Sequence, residues 1–282
     1  MTMKKMTMKS LLLTASAMVA VSMMSVSLTA CGSDGDDNGT PGGEVPASKN
    51  KTFTVDGVQF TMVAVEGGTF KMGAQKTDGW ADNFDADAHD DEAPVHSVTL
   101  SDYYIGETEV TQELWNAVMG SNPSYFTIGT ACPVECVSWE NCQNFITKLN
   151  QKTGMNFRLP TEAEWEFAAR GGKKSKGYKF AGSNTIEEVA WDFSEKTHPV
   201  KTKKGNELGI YDMSGNVYEW CQDFKANYSA AAQTNPKGPS TGSWRIIRGG
   251  CYNGGVDLCR VTYRNSRKQD NYEKYLGLRL VL

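Results

Sequence analysis

From Gly171 to Leu282 the chain has few long periodic runs of apolar residues, and this limits what it can fold into most strongly. The stretch is rich in Gly, Asn, Ser, Tyr and Trp, and turn-forming residues recur every few positions. Short strands joined by long ordered loops are expected there. Seven tryptophans (80, 115, 139, 165, 191, 220 and 244) imply a core in which large aromatics are surrounded by irregular backbone. No internal repeat is visible, and 282 residues allow one large domain or two small ones. One domain over residues 52–282 is the simplest reading. A formal charge of −4 offers no basic footprint for nucleic acid. Only one apolar run approaches membrane-spanning length, which excludes a multispan protein.

That run lies at the start. Lys4, Lys5 and Lys9 precede an apolar and small-residue stretch from Leu11 to about Leu28, the layout of a secretory signal over residues 1–30. Leu28-Thr29-Ala30-Cys31 resembles the lipobox of bacterial lipoproteins, which implies a lipidated Cys31 as the first mature residue and a membrane anchor that does not span. It also leaves six of the seven cysteines, in a compartment where disulfides persist. Residues 31–51 are acidic and Gly-rich with almost no apolar side chains, and read as a disordered tether. Acids just after such a cysteine resemble the surface-export signals of some Gram-negative lipoproteins.

In the first half of the domain, Phe53–Val65 reads as one strand and Thr69–Met72 as a second, with Gly67-Gly68 between them; Val95–Tyr104 reads as another. Three helices are expected. Thr111–Met119 is capped by Thr111, Ser138–Lys152 by Ser138, and Thr161–Arg170 has Thr161 and Glu164 at capping-box spacing before Gly171-Gly172.

Most chemical motifs fail. Gly171-Gly172-Lys173-Lys174-Ser175 is no phosphate loop, because Phe167 stands where its first glycine belongs. Three histidines (89, 96 and 198) leave little material for a triad or a His-rich metal site. Cys132, Cys136 and Cys142 lack a second pair for zinc and read as a disulfide or core thiols. The acidic run Asp85, Asp87, His89, Asp90, Asp91 and Glu92 is either a solvated surface or a cation site. Asp212 and Glu219 flank a Gly-containing turn whose carbonyls could join them around calcium, which takes mixed carboxylate and carbonyl oxygens.

Gly209-Ile210-Tyr211-Asp212-Met213-Ser214-Gly215-Asn216-Val217-Tyr218-Glu219-Trp220 resembles the central motif of the formylglycine-generating enzyme (sulfatase-modifying factor) family. Arg158-Leu159-Pro160-Thr161-Glu162-Ala163-Glu164-Trp165-Glu166, Arg248-Gly249-Gly250, Gly277-Leu278-Arg279, Gly67–Gly73 and Glu107–Thr111 resemble its other hallmarks, in order, from about Phe60 to Leu282. The resemblance implies a single α+β domain related to C-type lectins, with little regular secondary structure. It implies calcium on the Asp212 and Glu219 side chains and the Gly215 and Val217 carbonyls. The family's second calcium site is not expected, since Val189-Ala190-Trp191 replaces its motif. Catalytic members oxidise a substrate cysteine with copper held by two cysteines. Here Cys259 matches the second, Gly254 falls on the first, and Cys251 fills a neighbouring serine position. One thiolate does not make a two-coordinate Cu(I) site.

Three readings follow from this. The first is a lipid-anchored envelope protein, in the outer membrane on its periplasmic or surface side, that binds a protein or glycan or serves envelope assembly without oxidase activity. The second is an active copper-dependent oxidase using Cys259 and Cys251. The third is a retroelement-diversified ligand-binding protein, whose paratope would include Tyr252, Asn253, Tyr263, Asn265, Ser266, Asp270, Asn271 and Tyr272.

Overall fold

The structure, a computed structural model, describes residues 50–282. The expected signal segment, Cys31 and the tether up to residue 49 lie outside the described residues. Lys51, expected to end the tether, instead opens the first strand.

Three small sheets and three main helices make an α+β domain. Strands β1 (Lys51–Val55), β2 (Val58–Val65) and β5 (Tyr103–Gly106) form one sheet in the order β1-β2-β5. Strands β3 (Gly68–Met72), β4 (His96–Leu100) and β7 (Gln233–Thr234) form a second. The third has the order β10-β6-β8-β9, with β6 at Tyr218–Phe224, β8 at Trp244–Arg248, β9 at Arg264–Lys268 and β10 at Leu276–Gly277.

Two strand expectations are corrected. The Phe53–Val65 run is a hairpin, because Asp56 and Gly57 both take positive φ (48° and 85°) and turn the chain, pairing Val55 with Val58. Asp-Gly at both central positions is the signal of this turn. Val95–Tyr104 is likewise two strands in two different sheets, divided at Ser101-Asp102. Asp102 Oδ1 accepts the Gly67 amide at 2.8 Å. A β-carbon on Gly67 would fall 2.3 Å from the Leu100 carbonyl oxygen, so the crossing of the two chain segments requires glycine there.

The helices α1 (Gln112–Met119), α2 (Trp139–Thr153) and α3 (Glu162–Ala169) form where expected, because each cap is made. Thr111 accepts the Leu114 amide, and Ser138 and Thr161 make reciprocal capping boxes with Asn141 and Glu164. A four-residue helix, α4 (Ile186–Val189), is too short to show a period in sequence. None of the described helices is long and apolar enough to cross a membrane.

Cys142, Phe145, Ile146 and Leu149 form the buried stripe of α2. Phe145 stacks on Trp115 of α1 with centroids 4.8 Å apart, and burial of a side chain of this size contributes roughly 2–3 kcal/mol. Helix α3 is different, because every residue in it is buried. Its three glutamates each meet arginine: Glu162 meets Arg264, Glu164 meets Arg158, and Glu166 meets Arg248 and Arg170. Trp165 and Trp220 are fully buried, but Trp80 is fully exposed and Trp244 is 44% exposed, so the tryptophans do not all serve the core.

Candidate functional site

The loop between Gly209 and Tyr218 is the hub of the domain. Asp212, Gly215 and Asn216 all take left-handed φ (58°, 83° and 57°). A β-carbon on Gly215 would sit 2.4 Å from the Trp191 carbonyl oxygen, so only glycine lets these two segments meet. Asn216 then ties three segments together. Its Oδ1 accepts the His198 amide (3.0 Å), its Nδ2 donates to Glu109 Oε2 (2.8 Å), and its carbonyl accepts the Tyr252 amide (2.7 Å). The sequence reading missed Asn216 and Glu109 as site residues; an asparagine after glycine in a tight loop is the signal that points to the first.

The ends of this loop carry carboxylates. Glu219 is fully buried and accepts from Arg279 Nη2 at 2.6 Å, from Arg279 Nε at 2.9 and 3.0 Å, and from Trp165 Nε1 at 2.7 Å. Asp212 is buried, and its Oδ2 accepts the Lys201 amide at 2.8 Å. Burial, with the charge of Glu219 adding to it, raises the Asp212 carboxyl to about 6. Burial and the charges of Asp212 and Glu219 hold Glu109 well above the carboxylate range. Of these carboxylates Arg279 bonds Glu219 alone, and its charge reaches Asp212 and Glu109, which are held by amides, only at a distance. Asp212, with the Gly215 and Val217 carbonyls, is the group through which a cation at this loop would be held. Glu219 could join them only by sharing oxygens already held by Arg279 and Trp165. Among the described residues no three His, Cys, Asp or Glu side chains gather as a metal cluster.

The Cys251–Cys259 segment lies directly on this hub. Ser214 Oγ donates to the Cys259 carbonyl (2.8 Å), and the Gly215 amide donates to the Gly249 carbonyl (2.8 Å). Gly250 (φ 75°) carries no β-carbon because one would fall 2.7 Å from Cys259 Sγ. Both thiols are buried and unbonded to each other. Cys251 Sγ donates to Asn253 Oδ1 at 3.3 Å, and Cys259 Sγ to the Gly255 carbonyl at 3.6 Å. Burial pushes the Cys251 thiol up to about 11, and burial with the Asp192 charge pushes Cys259 higher still. At Gly254 a β-carbon would lie 3.2 Å from Cys251 Sγ and 3.1 Å from Leu258 Cδ1. The space next to the missing thiol is therefore occupied by Cys251.

All six described cysteines are free thiols; Cys132, Cys142 and Cys221 are buried and Cys136 partly so. Of the disulfide and core-thiol alternatives, the structure has thiols. The acidic run binds cationic side chains instead of facing solvent alone. Asp85 and Glu92 meet Arg260, Asp87 meets Lys179, Asp90 meets Lys76 and Asp91 meets Lys225.

The eight residues named for a diversified surface divide. Tyr252, Tyr263 and Ser266 are buried, Asn265 and Asn271 are half-buried, and Asn253, Asp270 and Tyr272 are exposed. Aromatic exposure beside them comes from residues that carry no sequence pattern. Tyr125 is 67% exposed next to Phe126, which packs edge-on to Tyr252, and Phe193 is 81% exposed, with its Cζ 3.8 Å from the point where a Gly255 β-carbon would lie.

The fold and hub define an α+β domain of formylglycine-generating-enzyme and C-type-lectin type. Residues 47–282 match the family described as sulfatase-modifying factor enzyme 1-like domain. The chain belongs to this family. It is 35% identical over 273 residues to the chaperone protein LppX of Paenibacillus barcinonensis, covering 78% of this chain and 88% of that one. It is 30% identical over 291 residues to the formylglycine-generating enzyme of Streptomyces coelicolor, covering 77% and 87%. Among solved structures, Treponema denticola variable protein 1 superposes with a TM-score of 0.70 at 36% identity, covering 82% of this chain and 98% of that one.

Proposed function

We propose that the chain is a lipid-anchored envelope protein whose sulfatase-modifying-factor-like domain binds a partner and lacks formylglycine-generating oxidase activity. The carrying observation is position 254, where glycine stands in place of a thiol and Cys251 crowds the space its side chain would need. The two nearby thiols are held protonated by burial, which disfavours thiolate binding of copper. Incubation with Cu(I) and a Cys-containing sulfatase peptide under oxygen tests this. No copper uptake and no formylglycine product are expected, and product formation overturns the reading in favour of the copper-dependent oxidase with Cys259 and Cys251.

The anchor is Cys31, lipidated after removal of residues 1–30, with the domain on the periplasmic or outer surface of the outer membrane. Calcium, held by Asp212 and the Gly215 and Val217 carbonyls with Glu219 sharing, stabilises the hub and does no chemistry. The ligand surface is the exposed rim around Tyr125, Phe193, Asn253 and Tyr272, which suits a protein or a glycan. Likeness to a protein named a variable protein favours a second reading, in which this rim is diversified by a retroelement. A reverse transcriptase and a near-repeat of the C-terminal coding stretch beside the gene are its test.

A further inference from the structure

A separate cavity of about 200 Å³ opens beside the start of α3, lined by Asp223 of β6, His96 of β4, Gln233 of β7, the paired Glu162 and Arg264, and Met72, Ala163 and Tyr228. It is smaller than drug-sized pockets of roughly 300–1,000 Å³ and takes a handful of non-hydrogen atoms.

Asp223 is buried, and its Oδ2 accepts the Glu162 amide at 2.9 Å. Its Oδ1 has no protein donor among the described residues. The chain at Gly238 (φ 67°) passes so close that a β-carbon there would fall 3.0 Å from Oδ1, so this segment closes over the carboxylate without bonding it.

The surrounding charges are already matched. Arg264 holds Glu162 through Nε (2.8 Å) and Nη2 (2.6 Å), and its Nη1 donates to the Asp91 and Ala226 carbonyls. Arg158 holds Glu164, and Lys225 meets Asp91. Arg245 is clamped between the rings of Trp139 (3.8 Å) and Phe224 (3.4 Å) and donates to the Gln222 carbonyl. Among the described residues Asp223 makes no ion pair, although the charges of Arg264 and Arg245 reach it. His96 also lines the cavity. His96 Nδ1 lies 3.0 Å from the Pro94 carbonyl, which can only accept, so Nδ1 carries a proton.

We propose that this cavity binds a primary alkylammonium group, the end of a lysine side chain or of a free small amine, with Asp223 as its counter-ion. An ammonium offers a charged donor to Asp223 Oδ1, with Gln233 and His96 among the polar groups of the lining, and Met72 and Ala163 beside its methylenes. A guanidinium fits less well, because its planar fork wants both carboxylate oxygens and Oδ2 is taken. A calcium ion fits less well, because the Glu162 oxygens that would have to join Asp223 are already held by Arg264.

Calorimetric titration of the full chain with n-butylammonium, n-butanol and Nα-acetyl-lysine methylamide tests the proposal. Butylammonium should bind at least tenfold more tightly than butanol, since a charge-assisted hydrogen bond distinguishes them. Asp223→Asn should weaken it at least tenfold. Asn227→Trp, an exposed change at the cavity mouth, should block binding while the melting temperature stays unchanged, which keeps the test valid if Asp223→Asn fails to fold. Binding of the lysine derivative identifies a peptide as the source, and binding of butylammonium alone identifies a free amine. Equal binding of butanol, no binding of butylammonium, or full binding by Asn227→Trp overturns the proposal.

Discussion

Cys251 Sγ lies 3.2 Å from the point a β-carbon on Gly254 would occupy, so the thiol that is present crowds the place of the one that is missing. Gly254 does not take a positive φ, and this crowding and Leu258 are what oppose a side chain there.

Gly254→Cys alone should therefore destabilise the fold by about 1–3 kcal/mol, as overpacking of a dense site does. Adding Cys251→Ser relieves the contact. The double variant should take up one Cu(I) per chain in competition with a chromogenic chelator, where the unmodified chain takes up none.

Arg279→Leu should cost about 3–5 kcal/mol in urea unfolding, because it leaves Glu219 buried with only Trp165 as partner. Arg158→Lys should cost far less, since the side chain at that position is substantially exposed.

Asp223 makes stability depend on pH. Burial, with the Glu162 charge adding, raises its carboxyl from 3.8 to about 7. The folded chain therefore binds a proton that the unfolded chain has released between about pH 4 and pH 7. The contribution is fully present below about pH 4 and is lost as pH rises through about 7. Asp223→Asn should remove this slope, so that the variant gains on the unmodified chain by on the order of 2–4 kcal/mol between about pH 4 and pH 8, read from urea midpoints at each pH.

Calcium at the Asp212 loop should raise the melting temperature, with about 2.7 kcal/mol of stabilisation at a hundredfold excess over Kd. Chelation should lower it again, and Asp212→Asn should melt identically with and without calcium. An unmodified chain indifferent to calcium and free of it by elemental analysis would refute the site.

The folded protein should react with almost no Ellman's reagent, because five of the six described thiols are buried and burial with Glu135 raises partly exposed Cys136 to about 12. In denaturant six thiols should react in protein isolated from membranes if Cys31 carries lipid, and seven if it does not.

Local signals carried much of the fold. Thr111, Ser138 and Thr161 mark helix starts because a cap acts within three residues, and the α2 stripe follows from helical period alone. Asp56-Gly57 was legible too, but the alternation around it masked the turn. The Asp212–Glu219 loop was visible as a motif, yet its bonds run to Glu109, Lys201 and Arg279, far away in sequence, and no spacing rule reaches them.

The sequence by itself determined the family, the capped helices, the glycine at 254 and the lipobox-like start, because each depends on which side chain stands at a position or on neighbours a few residues away. Tertiary structure alone decided that Val95–Tyr104 serves two sheets, that the acidic run pairs with distant lysines and arginines, and that Asp223 makes no ion pair among the described residues. Those outcomes depend on which charges and backbone groups meet after the chain has closed on itself, and burial sets their energies only then.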